Sequence, residues 1–179
     1  MAAPPTITSK NLTGKFFMNK TLSDDLDEVL KEQGVSWLIR KAISIATITL
    51  DIKHYTEEGV EHIDIEQSAT GGIKGTTENR TLDWKERPHE DYLFGKLTGQ
   101  SRRIKLEEVT DEFLKAGWLE GEAKEDGLVE SFVVSVNGWS AHQIWGFEEF
   151  DGKRYYTRHL KFEKGETELL RKMVYDYFV

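Results

Sequence analysis

The pattern of hydrophobic and polar positions along this chain changes its period after the first quarter. Residues 14–20 form a short strand-like run, and the segments 24–31 and 35–45 that follow have helical spacing. From Thr47 onward, apolar residues alternate with polar ones, which is the pattern of strands with one buried face. The pattern therefore predicts one strand, two short helices and then a long series of hairpins.

Both predicted helices have recognisable ends. Ser23 is expected to cap the first helix, because it precedes a group of aspartates that suit the positive end of a helix dipole. Gly34 is expected to end that helix in a left-handed conformation. The second helix, 35–45, is apolar over much of its circumference and should therefore be buried. We expect the two helices to cover the open end of a sheet as a lid.

The strand runs after the helices are separated by turn signals. Asn137-Gly138 and Asp151-Gly152 are expected to form type I′ hairpin turns, and a further hairpin is expected at Gly99-Gln100. The alternation is interrupted once, near 107–126, by a capped helical turn and an acidic linker. Counting the runs gives about ten antiparallel strands in a meander.

A meander of this length predicts a mainly β protein closed into an up-and-down barrel, because closure removes exposed strand edges. Ten strands make a barrel too wide for its own side chains to fill, so it should enclose a cavity. We predict one barrel domain over residues 12–179, with a two-helix lid after the first strand and a short helical insertion near 107–126. Residues 1–11 contain two prolines and no periodicity, and they predict a flexible tail.

These features together resemble the intracellular fatty-acid-binding proteins, which belong to the calycin group with the lipocalins. The most specific of them is Gly34–Ala42, which matches the family pattern Gly-Val-x-Trp-x-x-Arg-Lys. The resemblance implies a calycin-like barrel with a hydrophobic ligand inside. Three features depart from the family, and the first is that this chain is longer by several tens of residues. The family's carboxylate-binding Arg-x-Tyr corresponds here to Met173-Val174-Tyr175, which keeps only the tyrosine, and the family has no counterpart to 107–126.

Most candidate ligand-binding residues lie on the last three strands. Alternation places every second residue on one face but does not say which face is inside. If Tyr175 faces inward, the other odd-numbered residues of its strand do so as well. Together with aromatic residues that could line a cavity, they give the predicted ligand-binding set: Trp37, Trp145, Tyr156, Arg171, Met173 and Tyr177.

Three residues are candidates for catalysis. Tyr175 can donate a hydrogen bond to a developing oxyanion without the desolvation cost of an ion. Arg158 can bind a ligand carboxylate, enolate or carbonyl oxygen, or it can form an ion pair with a glutamate. Histidine is a common general base in enzymes, so His142 is either a general base or an exposed strand residue. The glutamates that could pair with the arginine are Glu148, Glu149 and Glu163.

Composition limits the partners. A net charge of −8 argues against a nucleic-acid partner. The chain has no cysteine, and its 5 histidines lack ligand spacing, so we expect no metal site and no cofactor. There is no secretory signal and no apolar run of about 20 residues. We therefore expect a cytoplasmic protein without stable membrane insertion, whose partner is a hydrophobic small molecule; its oligomeric state stays open.

Two functions agree with this description. The first is an intracellular carrier of a hydrophobic small molecule, because the sequence has a barrel pattern and no phosphate loop, serine elbow or carboxylate pair. The alternative is a cofactor-independent cyclase, isomerase or pericyclase of specialised-metabolite biosynthesis, acting on a polyketide- or terpenoid-like substrate. The methionine at 173 and the segment 107–126 favour the enzyme, whereas the generic interior favours the carrier.

Overall fold

The computed structural model describes residues 1–178, which form ten strands and four α-helices, with a short 3-10 turn at Leu106–Glu108. In chain order the elements are β1 (Gly14–Met18), α1 (Asp27–Glu32), α2 (Trp37–Ile45), β2 (Ile48–Glu57), β3 (Val60–Ala69), β4 (Thr76–Thr81), β5 (Arg87–Asp91), β6 (Gly95–Ile104), α3 (Glu112–Lys115), α4 (Glu120–Asp126), β7 (Leu128–Ser135), β8 (Trp139–Phe150), β9 (Lys153–Lys164) and β10 (Thr167–Phe178).

All ten strands belong to one antiparallel sheet in the order β4-β3-β2-β1-β10-β9-β8-β7-β6-β5. Strand β1 pairs with β2 on one side and with β10 on the other, which joins the start of the chain to its end. Within the described strands, β4 and β5 are the two edges of the sheet and share no ladder of hydrogen bonds. The predicted ten-stranded up-and-down barrel is therefore confirmed, with one slot between β4 and β5.

The two helices after β1 are also confirmed, although their ends differ in part from the prediction. Ser23 does not cap α1; its hydroxyl accepts the backbone N–H of Val174 on β10 at 2.8 Å. The helix begins four residues later, at Asp27. Gly34, with φ of 88°, ends α1 as expected. We call α1 and α2 the lid helices.

Helix α2 is less buried than its apolar sequence predicts. Trp37, Leu38 and Ile45 are 63%, 72% and 86% exposed. Only one side of the helix faces the barrel, where Arg40 and Ile43 border the interior. A helix that covers a mouth contacts the barrel along a single side, so the apolar residues on its other side remain in contact with solvent.

The hairpin expected at Gly99-Gln100 is formed instead at residues 92–94. Strand β6 runs unbroken from Gly95 to Ile104, and the turn before it is built on the carboxylate of Asp91, which accepts two backbone N–H groups at 2.6 and 2.8 Å. Gly99 is not in a turn. It lies where the Arg80 side chain comes close to the backbone of β6, since a Cβ atom there would be 3.3 Å from Nη1 of Arg80.

The two Asx-Gly turns differ from each other. Asp151 and Gly152 have φ of 50° and 72°, as a type I′ turn requires. At Asn137-Gly138 only the glycine is left-handed, with φ of 82°, and its N–H donates to the carbonyl of Ser135 at 3.1 Å. That connection is therefore a longer turn than the predicted two-residue one.

Residues 1–11, which the sequence predicts as a flexible tail, pack against the end of the barrel remote from the lid. Ala3 and Ile7 are buried in the main core, and the carbonyl of Pro4 accepts a hydrogen bond from Arg154 at 3.2 Å. Arg154 lies at one end of β9, while Lys164 at its other end donates to the lid helix α1. Isolated apolar side chains suffice to dock a segment without periodicity, because this end of the barrel offers them an apolar surface.

An ion-pair cluster around Glu61 fastens the same end of the barrel. Glu61 on β3 accepts hydrogen bonds from Nε2 of His54 at 2.8 Å and from Nε of Arg103 at 2.9 Å. Arg103 also donates to the carbonyl of Ser9 at 2.9 Å, and Nδ1 of His54 accepts the N–H of Leu12. The cluster thus joins the N-terminal segment to β2, β3 and β6.

The insertion near 107–126 is helical, as predicted, and the expected linker within it contains α4. It packs on the outer face of the barrel over His159, whose ring stacks on Trp118 at 3.9 Å and whose Nε2 lies 3.0 Å from Glu148. A second apolar cluster fills the space between insertion and barrel: Ile104, Val109, Leu114, Trp118, Ala123, Leu128 and Ile144. Among the helices of residues 1–178, none is both long and apolar enough to span a membrane.

The cluster around Glu61 predicts a pH-dependent contribution to stability. Burial raises the pKa of Glu61, but hydrogen bonds from His54 and Arg103 outweigh it and hold the pKa at about 2, below the ordinary 4.5. A carboxylate with a lowered pKa in the folded state stabilises the fold above its unfolded pKa, and this stabilisation is lost as the pH falls through the folded value. Glu61→Gln should therefore lower the melting temperature at neutral pH, and the difference from wild type should shrink between pH 4.5 and about 2.

Thermal denaturation in a series of buffers measures this difference. Glu66→Gln, at an exposed position on the same strand, is the control and should have little effect at any pH. A Glu61→Gln deficit that stays constant down to pH 2 would contradict the prediction.

Gly117 provides a second test, of how the insertion is seated on the barrel. It has φ of 89°, and a Cβ atom there would collide with Oε1 of Glu148. Gly117→Ala should therefore destabilise the protein by about 2 kcal/mol or more, from the left-handed backbone and the collision together. Gly121→Ala, within α4 and with no atom near its added Cβ, should leave stability unchanged or raise it by up to about 1 kcal/mol. Equal melting temperatures for the two variants would refute this account.

Candidate active site

The barrel encloses a cavity of about 810 Å³ beneath the lid helices. Leu26 and Ile43 border it from the lid, Thr77 and His89 from the slot between β4 and β5, and Trp139 from the opposite wall. Cavities of this size bury most of a drug-sized or lipid-sized molecule. The expected interior cavity is therefore present, and it is bordered by both the lid and the slot.

Three charged side chains meet in this cavity from two sides of the barrel. Arg158 extends from β9, while Glu78 and Arg80 extend from β4. Nη1 of Arg158 donates to the two carboxylate oxygens of Glu78 at 3.2 and 3.4 Å, and Nη2 of Arg80 lies 3.5 Å from the same carboxylate. Because four strands lie between β4 and β9 in the sheet order, this cluster forms only when the barrel closes.

Aromatic side chains hold Arg158 in place. Its side chain is 3% exposed, its Nε donates to the hydroxyl of Tyr156 at 3.0 Å, and its guanidinium lies 4.0 Å from the ring of Trp145. Nε1 of Trp145 donates in turn to Gln143 at 2.9 Å. These contacts fix the plane of the guanidinium, which a flexible lysine in its place would not do.

All three side chains of the cluster are ionised at neutral pH, which gives the cluster a net positive charge. Burial lowers the pKa of Arg80 and Glu78 does not fully offset this, but a guanidinium stays protonated at neutral pH. Burial raises the pKa of Glu78, but Arg158 and Arg80 outweigh it and keep that pKa below its ordinary value. Burial lowers the pKa of Arg158, but Tyr156 and Glu78 more than compensate, and the pKa is raised. Burial raises the pKa of Tyr175, so its hydroxyl stays protonated and can donate a hydrogen bond.

The cluster also has unused hydrogen-bonding capacity. Within residues 1–178, Nη2 of Arg158 and Nε of Arg80 are buried and have no hydrogen-bond partner. The hydroxyl of Tyr175 contacts the thioether sulfur of Met173 at 3.9 Å, and a thioether is a weak acceptor. A ligand oxygen that displaced Glu78 from the arginines would therefore find donors that the protein itself satisfies poorly.

Five of the residues predicted from the sequence lie together here. Arg158, Tyr175 and Met173 line the cavity, while Tyr156 and Trp145 are buried around the guanidinium. Arg158 is the partner of Met173 in the pairing of β9 with β10. The arginine of the Arg-x-Tyr motif is absent at position 173, and Arg158 lies beside that position on the neighbouring strand.

His142 and Trp37 lie elsewhere. His142 points away from the cavity on β8, where its Nε2 lies 2.7 Å from Glu130 on the outer face of the barrel. It lies three positions from Trp145 along the strand, and an odd separation places the two side chains on opposite faces of the sheet. Trp37 is exposed on the side of α2 that faces away from the barrel. The structure does not bring either residue to Tyr175.

Arg171 and Tyr177 share the face of Tyr175 but lie beyond the ends of the cavity. Arg171 is near the mouth, where it donates to Glu28 on α1 at 2.8 Å and helps to hold the lid. Tyr177 packs against Phe16 with ring centroids 5.3 Å apart. Strand alternation predicts the face correctly but not the position along the barrel axis.

Sequence reasoning missed Glu78 and Arg80. Nothing in their strand indicates a face that lines an interior, because no apolar residue alternates with them. The available signal was that two residues at i and i+2 share a face. In the structure they pair with Ile65 and Ile63 of β3, whose side chains are fully buried. None of the three glutamates predicted as partners of Arg158 pairs with it: Glu148, Glu149 and Glu163. Its partner is Glu78.

Among the described residues, no group of three or more His, Asp or Glu side chains is arranged to hold a metal ion. Solved structures share this architecture. The Schistosoma mansoni fatty-acid-binding protein in complex with arachidonic acid superposes with a TM-score of 0.59 at 12% identity, covering 96% of this chain and 97% of its own. The expected resemblance to fatty-acid-binding proteins is therefore confirmed for the fold.

No protein-family model matches the chain. Two curated relatives match along nearly its whole length. A Mollisia scopiformis protein named "Probable pericyclase scpY" is 31% identical over 185 residues, which cover 98% of this chain and 94% of that protein. "Pericyclase pydY" of Acremonium sp is 30% identical over 182 residues, covering 99% of this chain and 97% of its own. The chain belongs to the family of scpY and pydY.

Proposed function

We propose that this chain is a cofactor-independent pericyclase, which cyclises a hydrophobic, conjugated polyene bearing an oxygen function inside the barrel. One observation carries this proposal, namely the identity of 31% and 30% to scpY and pydY over nearly the full length of each. Of the two functions that agree with the sequence, this relationship favours the enzyme. The substrate belongs to the polyketide- or terpenoid-like class.

The cavity has what a pericyclic reaction requires. Such a reaction moves electrons around a ring of bonds in one step, so it uses no nucleophile and forms no charged intermediate. Its barrier falls when a flexible substrate is held in the folded conformation from which the new bonds form, and this positioning can supply several kcal/mol. A cavity of about 810 Å³, closed by the lid helices, is suited to hold a polyene in that way.

Polar groups on one side of the cavity would assist the reaction. A hydrogen bond to an oxygen conjugated with the reacting bonds withdraws electron density from them, and the effect is large where water is excluded. Tyr175 and Arg158 are the donors best placed for this role, since both line the cavity and neither has its donors fully used within the described residues. The rest of the wall would fold the hydrocarbon chain.

A carrier of the same hydrophobic molecule is the second candidate. The likeness to fatty-acid-binding proteins, at 12% identity for the Schistosoma mansoni protein, supports it through the fold alone. A carrier needs the cavity and the lid but not a donor with spare capacity at the ligand oxygen. The two candidates therefore differ in whether the bound molecule changes.

Deleting the gene in its source organism distinguishes them. A unimolecular pericyclic reaction conserves every atom, so the deletion strain should accumulate a linear isomer with the same mass as the missing cyclic product. The purified protein should convert that isomer without any added cofactor. If the deletion changes only metabolite amounts, and the purified protein returns the bound compound unaltered, the protein is a carrier.

Tyr175→Phe tests the donor role directly. The variant keeps the ring and its packing against Tyr156, so the free energy of unfolding should change by no more than about 1 kcal/mol. Loss of a donor to a full oxyanion costs about 10²–10³ in rate, and the charge that develops on a polarised carbonyl is smaller. We expect single-turnover conversion of the accumulated isomer to slow by roughly 10-fold to 100-fold. Tyr155→Phe, a buried tyrosine on the outward side of β9, is the control and should keep the wild-type rate.

A further inference from the structure

We propose that the ligand of this cavity is an anion, whose ionised oxygen, as a carboxylate or an enolate, pairs with Arg158 and Arg80. This inference names the substrate class of the same site and rests on the proposed function only for the reaction that follows binding. Three observations on the cluster of Glu78, Arg80 and Arg158 carry it: the net charge of the cluster, the length of its ion pairs and its depth in the barrel.

The charge of the cluster is not balanced by the protein. Two guanidinium groups face one carboxylate, which leaves one positive charge in excess. In the described part of the chain, Glu78 is the acidic group that forms an ion pair with either arginine. An uncompensated charge removed from water costs several kcal/mol. The ring of Trp145 beneath Arg158 offsets only part of this cost, since a cation–π contact contributes less than the desolvation of a charge costs.

The geometry of the cluster is loose enough to accept another oxygen. Its ion-pair distances are 3.2, 3.4 and 3.5 Å, whereas a charge-assisted hydrogen bond between guanidinium and carboxylate is about 2.7–2.9 Å long. The Glu78 side chain keeps 23% of its surface accessible and borders the cavity. A ligand oxygen could thus displace Glu78 from Nη1 of Arg158 and shorten the remaining contacts of both arginines.

Some of the charges at the mouth of the cavity are already paired or hydrogen-bonded. Arg40 pairs with Asp27 at 3.0 Å, and the carboxylate of Asp24 accepts the backbone N–H of Lys172 at 2.6 Å. The excess positive charge of the Glu78 cluster lies deep in the barrel, although the protein as a whole has a net charge of −8. A buried charge is screened little by salt, so its attraction for an anion should persist at high ionic strength.

Two dyes that differ by one charged group test the proposal. Anilinonaphthalenesulfonate carries a permanent negative charge, and N-phenylnaphthylamine has the same ring system without it. We expect the full-length protein to bind the sulfonate with one site per chain and at least 10-fold more tightly than the neutral dye, in low and in high salt. Equal affinities for the two dyes would overturn the proposal.

Variants then locate the preference. Arg158→Met should reduce the ratio of the two affinities at least 5-fold, whereas Arg102→Met, which removes the same charge from the outer face, should not change it. Glu78→Gln keeps the shape and increases the excess positive charge, so it should tighten sulfonate binding and enlarge the dye-induced rise in melting temperature. If Arg158→Met does not fold, Glu78→Gln decides, since an unchanged sulfonate affinity in that variant would overturn the proposal.

Competition against the bound sulfonate identifies the source of the negative charge. Dodecanoate supplies a carboxylate, and a cyclic dione with a dodecanoyl substituent supplies an enolate at neutral pH; dodecanol is the neutral control. Displacement by either anion but not by dodecanol supports the proposal and assigns the oxygen, and displacement by dodecanol alone refutes it. Turnover of the accumulated isomer is measured separately, so anion binding without turnover would reject the enzyme and keep the anion site.

Discussion

The interior of this protein depends on the pairing of β1 with both β2 and β10. Strand β1 has five residues, yet it pairs with both the first and the last long strand of the chain. These two pairings close the barrel on this side. Without these pairings, β2–β4 and β5–β10 would be two separate sheets, and no strand ladder would hold Glu78 opposite Arg158. The cavity, the charge cluster and the position of Tyr175 all follow from them.

Closure also places charged groups where they are costly to keep. A core built for stability alone would fill this region with apolar side chains, because replacing a buried ion pair by hydrophobic residues is often neutral or stabilising. Here Arg158 is held by Tyr156 and Trp145, and its ion pair with Glu78 is long. An arginine that is fixed in orientation but incompletely paired suits a site that acts on a ligand oxygen.

The comparison with fatty-acid-binding proteins separates fold from chemistry. The barrel and its lid are shared at 12% identity with the Schistosoma mansoni protein, while scpY and pydY are related in sequence along the whole chain. Met173 stands where the carrier motif has arginine, and Arg158 faces it from β9. An arginine is thus present beside the motif position, and it approaches the cavity from β9 and not from β10.

Local periodicity was enough to predict the ten strands, the lid helices, the helical insertion and the shared face of Tyr175 and Met173, because each depends on neighbours a few residues apart. Only the tertiary structure placed His142 on the outer face with Glu130, left Trp37 exposed and buried part of the N-terminal segment. It also brought Glu78 and Arg80 to Arg158, which no spacing along the chain indicates. The physical reason is that alternation assigns residues to a face of one strand, whereas contacts across a barrel depend on which strands become opposite walls when the sheet closes.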